Sequence, residues 1–267
     1  MSMVINTNMN SLTAQRNLSM TQNSLAMSMQ RLSSGMRINS AKDDAAGLGI
    51  SDRMTAQVRG LNQAVRNVND GVSLAQTAEG ALGTITDMMQ RMRELAVQAA
   101  NGTNGTEDLA SLDAEYQKLA GEITRIGTST QFNGLFILAG DAGTFDFQAG
   151  ANENDTISLK TLAVSTYTTT GDLTAGAGAA ITTMNDALKA VATDRGTYGA
   201  AQNTLVFAIQ NLSNASENQA AARSRILDAD FATETANLSR AQVLQQAGTA
   251  MVAQANQSPQ GVLALLR

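Results

Sequence analysis

Apolar residues recur along this chain at intervals of three and four, and in places at a strict seven. Leu18, Leu25 and Leu32 are seven apart, and Met29 and Met36 each follow one of them by four. Near the other end Phe231 and Leu238, then Leu244 and Met251, keep the same interval. Residues seven apart share one stripe of a helix, and such a stripe needs a partner helix. The two ends therefore read as amphipathic helices made to pair with each other.

The first helix is predicted from about Ile5 to Gly35, with breaks at Ser34-Gly35 and Asn39-Ser40. A second starts after Asp43-Asp44, acids that suit the positive end of a helix. Its track is Val58, Leu61, Val65, Val68, Val72, Ala75, Leu82, Met89 and Ala96, with Glu79, Thr86 and Arg93 interrupting it. Ile85, Met88, Met92 and Leu95 make a second stripe beside the first, so this helix can contact two partners. Running from about 45 to 100 it would be roughly 80 Å long at about 1.5 Å per residue. The stretch 101–106 is a turn, and a shorter helix follows through Leu109, Leu112, Tyr116, Leu119, Ile123 and Ile126, ending at Gly127.

Phe145 and Phe147 alternate with polar residues, 150–155 makes a turn, and Ile157 and Leu159 alternate after it, which predicts a β-hairpin near 144–162. The Thr/Gly/Ala-rich tract 166–178 reads as a loop with no core of its own. Helix then returns through Met184, Leu188, Val191, Tyr198, Leu205, Ile209, Leu212 and Ile226, interrupted by Gln202, Gln219 and Arg223. The fold class is mainly α: a long antiparallel, coiled-coil-like helical rod with a small β-hairpin insert and paired terminal helices.

Composition narrows the chemistry. The chain of 267 residues has no Cys, His or Trp, and 3% of it is aromatic. That excludes thiol nucleophiles, disulfides, imidazole bases and Cys/His metal sites; no cofactor and no metal are expected. One proline, Pro259, leaves long helices uninterrupted. Net charge is −5 overall, +4 over residues 1–42, +1 over 232–267, and −10 between them. An acidic middle and sparse terminal bases exclude nucleic acid as a partner. No apolar run is long enough to span a membrane, so no membrane insertion is expected, and no secretory signal peptide is visible.

Individual motifs mostly have plain readings. Asp43-Asp44 is a helix start. Gly47-Leu48-Gly49 has Asp52 where a dinucleotide loop needs its third glycine. The two Asn-Gly-Thr sequons at Asn101 and Asn104 arise readily in an Asn- and Thr-rich chain. Arg91 and Glu94 share a helix face and can pair.

Longer stretches name a family. Residues 31–47, Arg31-Leu32-Ser33-Ser34-Gly35-Met36-Arg37-Ile38-Asn39-Ser40-Ala41-Lys42-Asp43-Asp44-Ala45-Ala46-Gly47, closely resemble the N-terminal signature of bacterial flagellins. So do Asn69-Asp70-Gly71, Gln90 to Gln98 and Gln131-Phe132-Asn133-Gly134. At the other end Ala222 to Ile226, Ser239 to Gly248, and Gln254-Ala255-Asn256-Gln257 on to Leu265-Leu266-Arg267 match as well.

The resemblance implies a filament subunit, a homo-polymer, of a short form in which only the 166–178 loop stands where larger flagellins insert outer domains. Residues 1–42 and 232–267 would be the two halves of an inner tube, and 43–231 the rod around it. Ile5, Leu12, Leu18, Leu25, Leu32, Phe231, Leu238, Leu244, Met251, Leu263 and Leu266 would be the inner-tube assembly residues. Further implied partners are an export chaperone, the flagellar type III export apparatus, and the filament cap and hook-junction proteins, with the product extracellular. The resemblance also implies binding to the host Toll-like flagellin receptor through Gln90, Arg91, Glu94, Leu95 and Glu115, with Met92 replacing a smaller branched residue. The alternatives are the hook–filament junction protein of the same family and, remotely, a carboxylate-dependent secreted enzyme, which would need a cleft that a two-helix rod lacks.

Overall fold

The computed structural model describes residues 7–167 and 169–264, with side chains as far as residue 257. Five helices carry most of the chain: α1 (Met9–Ser34), α2 (Ala45–Ala99), α3 (Thr106–Ser129), α4 (Leu173–Leu227) and α5 (Phe231–Ala264). A two-stranded hairpin, β1 (Thr144–Gln148) and β2 (Thr156–Lys160), and a 3-10 turn at Val164–Thr166 lie between α3 and α4. The chain forms two compact units, one of Gln57–Asn218 and one of Met1–Ala56 with Gln219–Arg267.

The middle unit is built on one seam. Along α2, beside the buried Ser51, Leu74 and Leu95, one row of buried positions runs through Ala64, Val68, Gly71, Ala75, Ala78, Leu82, Ile85, Met89, Met92, Ala96 and Ala99. They alternate by four and three without a break, the signature of knobs-into-holes packing. Along α4, Ala180, Met184, Ala187, Val191, Tyr198, Leu205, Leu212 and Ser216 keep the same rhythm. The pairing is antiparallel, because partners on α2 rise in number as those on α4 fall. Ser216 bonds Asn62 at 2.8 Å, Gln202 bonds Glu79 at 2.8 Å, and Arg93 bonds Asn185 at 2.7 Å.

This corrects the expected track. Glu79, Thr86 and Arg93 do not interrupt the dry seam; they flank it, and Ala78, Ile85 and Met92 occupy it. Counting only large apolar residues displaces the predicted stripe, because Gly71 and Ala78 look neutral in sequence yet let a neighbouring backbone come close. Gly71 faces the Phe147 ring, which an added Cβ would approach to 3.1 Å.

The hairpin pairs Thr144 with Lys160 and Gln148 with Thr156, antiparallel. Alternation turns Phe145, Phe147 and Leu159 toward the helices, and all three join the core. From α3, Tyr116 and Ile123 are fully buried, and Gly127 lies so close to Val164 that a Cβ would meet it at 2.6 Å. The helix continues two residues past that glycine, to Ser129.

The tract 166–178 is not a coreless loop. Tyr167, Thr169 and Leu173 are buried, and α4 already begins at Leu173, with one non-helical residue at Gly176. Asp172 starts the helix by accepting the Thr174 N–H at 2.8 Å and the Ala175 N–H at 3.3 Å. Helix α3 anchors this start, since Asp113 accepts the Leu173 N–H at 3.0 Å and Gln117 donates to the Gly171 carbonyl at 2.6 Å. The glycines, read alone as breakers, permit that close packing; a Cβ on Gly171 would lie 2.9 Å from the Tyr116 hydroxyl.

Three buried phenols make this core sensitive to alkali, Tyr116 among them, raised by burial and then by the charge of Asp113. Burial pushes Tyr198 up to about 12. Burial, then the 2.5 Å hydrogen bond its hydroxyl donates to Asp194, raises Tyr167 further. An unfolded tyrosine ionises near pH 10. Between pH 10 and 12 the folded chain therefore holds protons that the unfolded chain has released, and stability falls as pH rises. Stability to urea, followed by helical circular dichroism, should be flat from pH 7 to 9 and decline above 10. Tyr198→Phe should shallow that decline; an unchanged slope would show that Tyr198 is not responsible.

Candidate interaction surfaces

The terminal unit is fastened at the links flanking its helices. Helix α1 ends on Gly35 at φ 71°, a left-handed cap that glycine takes without a Cβ clash, and its N–H returns to the Arg31 carbonyl at 2.9 Å. The Gly35 carbonyl accepts the Ala229 N–H at 2.9 Å, and the Arg37 N–H donates to the Leu227 carbonyl at 2.7 Å. The Arg37 guanidinium reaches the Ile226 carbonyl, also at 2.7 Å. Asp43 accepts the N–H groups of Asn39 at 3.1 Å and Ser40 at 2.9 Å, bonds that hold its carboxyl below the usual range. Asp44 accepts the Gly47 N–H at 2.8 Å. Asp43 thus closes the turn ahead of the helix, and Asp44 is the start signal for α2. Asp230 does the same for α5, bonding the Thr233 hydroxyl at 2.7 Å and the Ala232 N–H at 2.9 Å.

Helices α1 and α5 face each other along two matching stripes. On α1 the stripe is Ser11, Ala14, Leu18, Thr21, Leu25, Ser28 and Leu32; on α5 it is Glu234, Leu238, Ala241, Gln245, Gly248, Val252 and Ala255. Both step by three and four. The seam is thin and half polar. Gly248 lets Leu18 close in, to 3.1 Å from where a Cβ would stand. Asn8 donates to the Ala255 carbonyl and the Ser11 hydroxyl to Asn256, both at 2.7 Å. At the other end Arg31 and Glu234 approach to 4.0 Å, with the Glu234 side chain 9% exposed. A largely buried pair at that separation recovers little of its desolvation cost.

What the seam omits lies on the surface. Met9, Leu12, Met20, Met27 and Met29 on α1, and Phe231, Val243, Leu244 and Met251 on α5, are all exposed, several beyond one half. Of the predicted assembly residues, Leu18, Leu25, Leu32 and Leu238 are thus half-buried in the intramolecular seam. Leu12, Phe231, Leu244 and Met251 face outward. Ile5 and Leu266 lie outside the described residues, and Leu263 lies in α5 beyond the last described side chain. One flank of the pair carries a groove of about 900 Å³ past Leu18, Leu244 and Met251. It continues for about 550 Å³ past Met20 and Met27 to Arg240. The sequence reading passed over Met20 and Met27, although they are seven apart with Met9 eleven before Met20, one stripe of the helix.

A second surface lies on the middle unit. Arg91 pairs with Glu115 of α3 at 3.0 Å and with Glu94 at 3.1 Å, and these bonds, Glu115 first, raise its affinity for its proton. Gln90, Arg91, Glu94 and Glu115 are exposed together. Leu95, expected beside them, is 1% exposed and belongs to the core, as does Met92 at 0%. Neither can touch a partner. Met92 lies on the seam of α2 and Leu95 beside it, both on the second apolar stripe that the spacing predicts. The exposed apolar residue of this stretch is Val97.

These features align with known proteins over nearly the whole chain. A family model described as the bacterial flagellin N-terminal helical region matches residues 5–142, and one described as the C-terminal helical region matches 181–266. The hairpin lies in residues 143–180, between the two matches. The chain is 48% identical over 272 residues to a flagellin of Halalkalibacterium halodurans, covering 99% of this chain and 100% of the relative. It is 41% identical over 286 residues to the flagellar filament 33 kDa core protein of Treponema phagedenis, covering 99% and 100%. The crystal structure of Bacillus cereus flagellin is similar at a TM-score of 0.52 and 37% identity, covering 59% of this chain and 94% of that one.

A thin, partly polar seam opens more readily than a dry one of small and large apolar residues. In the unassembled chain, amide hydrogens of α1 and α5 should exchange well before those of α2 between Ala64 and Ala99. Equal protection in the two sets would show that the terminal pair is as stable as the middle seam.

Proposed function

From the premise that the chain belongs to the bacterial flagellin family, we propose that it is a structural subunit, not an enzyme, that self-assembles into an extracellular flagellar filament for swimming motility. One observation carries this reading: the terminal pair exposes a groove and a set of large apolar side chains that none of the described residues covers. Burying a Leu or Met contributes about 1.5–3 kcal/mol as an upper guide. Half a dozen such groups suffice to hold neighbouring copies together. A contact between different faces of identical subunits does not close on itself and grows into a helix. Residues 1–42 and 232–267 then form the inner tube, and 43–231 surround it. The names carried by the relatives favour the filament over the hook–filament junction. Among the described residues no helix is long and apolar enough to cross a membrane, which fits export by the flagellar apparatus with a chaperone covering the terminal helices until release.

Replacing Leu244 and Met251 together by Asp places charge in the groove at positions that are already exposed. The double variant should keep its helical circular dichroism and form no filaments on seeds, as judged by negative-stain microscopy. Filaments of ordinary length from this variant would sink the proposal.

A second role rests on the exposed Arg91 group. We propose that the free subunit is recognised by the Toll-like flagellin receptor through Gln90, Arg91, Glu94 and Glu115, with Leu95 and Met92 excluded by their burial. The bonds to Glu115 and Glu94 hold the guanidinium in one orientation, which lowers the entropic cost of binding it. Arg91→Ala should lower the potency of the monomer on receptor-bearing cells by at least about tenfold, as expected for a central arginine anchor. No response to the unmodified monomer at any dose would end this reading.

A further inference from the structure

Methionine is distributed unevenly between the two units. The exposed methionines among the described residues are Met9, Met20, Met27, Met29 and Met251, and every one is on α1 or α5. In the middle unit Met89, Met92 and Met184 are fully buried, and Met88 is half-buried. The groove between the terminal helices is walled by three of the exposed set, Met20, Met27 and Met251, with Leu18 and Leu244. Three of the five large apolar side chains in its lining are therefore thioethers.

Thioether is the one apolar group in this lining that a peroxide attacks. The sulfur lone pair takes the distal oxygen of hydrogen peroxide and the O–O bond breaks. Sulfur is oxidised by two electrons to the sulfoxide, and the departing hydroxide gains the proton of the transferred oxygen and leaves as water. The product is polar and strongly hydrated, and seating it in an apolar contact without a donor is costly. Leucine at the same place is inert. The buried methionines of the middle unit are shielded by packing, so the fold survives conditions that convert the groove.

We propose that the terminal groove is a peroxide-sensitive modification site. Oxidation of Met20, Met27 and Met251 in the free subunit blocks its addition to a growing end, whereas the assembled filament, having buried these sulfurs, resists. The inference rests on the filament reading above, and its test separates the two.

The full chain is treated with dilute hydrogen peroxide while unassembled, quenched, and mapped by peptide mass spectrometry. Sulfoxide should form at Met20, Met27 and Met251 well before Met89, Met92 and Met184. The oxidised chain should then need at least about tenfold more protein to extend filament seeds, since losing even one buried apolar side chain is worth that factor. Its helical circular dichroism should be unchanged. The triple variant M20L/M27L/M251L should extend seeds equally well before and after peroxide. If the untreated chain does not polymerise, the filament reading fails. If it polymerises and the oxidised chain does so at the same concentration, this inference fails alone. Should the triple variant not assemble, oxidation rates in the unsubstituted chain decide. Slower oxidation of Met20, Met27 and Met251 in filaments than in free subunits supports the site, and equal rates overturn it.

Discussion

Packing by threes and fours between antiparallel helices is the constraint on which this structure rests. In the middle unit it is obeyed with side chains that fill the space. Leu82, Ile85, Met89 and Met92 follow one another between Ala75 and Ala78 on one side and Ala96 and Ala99 on the other, and Tyr116 and Tyr198 are buried in the same core. The hairpin, the 3-10 turn and the start of α4 then settle on the same core through Phe147, Val164, Tyr167 and Leu173. None of these segments has a core of its own.

The terminal unit obeys the same periodicity with poorer materials. Ser11, Thr21 and Ser28 on one helix, and Ala241, Gln245 and Gly248 on the other, take up much of the seam. Such a seam sets register and spacing but buries little apolar surface, while Met20, Met27, Leu244 and Met251 remain in water. A chain that keeps its best apolar groups outside a weak internal seam carries an incomplete interface. The clasp between residues 35–37 and 226–229 holds the two helices beside each other, so that the incompleteness is presented on one continuous face. The Asp44 and Asp230 caps set where α2 and α5 begin.

Charge plays a local part. The exposed Arg91 triad joins α2 to α3 without adding to the core, and Glu79 and Arg93 lie at the margins of the seam, where their bonds to Gln202 and Asn185 reach between α2 and α4. These residues look like interruptions only if the seam is drawn through them.

Much of this was legible beforehand. The five helices, the hairpin and the break at Gly35 follow from spacing, alternation and glycine placement, because those patterns act within a few residues and are written in order along the chain. The motifs that mark the family are likewise linear. What the sequence by itself could not decide is which of several adjacent stripes is buried. Helical faces lie 100° apart, and small residues such as Gly71, Ala78 and Gly248 carry no hydrophobic signal although they govern how near a neighbour can come. Only the tertiary structure therefore showed that the apolar stripe holding Leu95 and Met92 leaves neither on the surface beside Arg91, turned Leu12, Leu244 and Met251 outward, and gave the Gly-rich tract before α4 a packed place against α3. Burial depends on what lies across the interface, and that partner is supplied by residues far away in the chain.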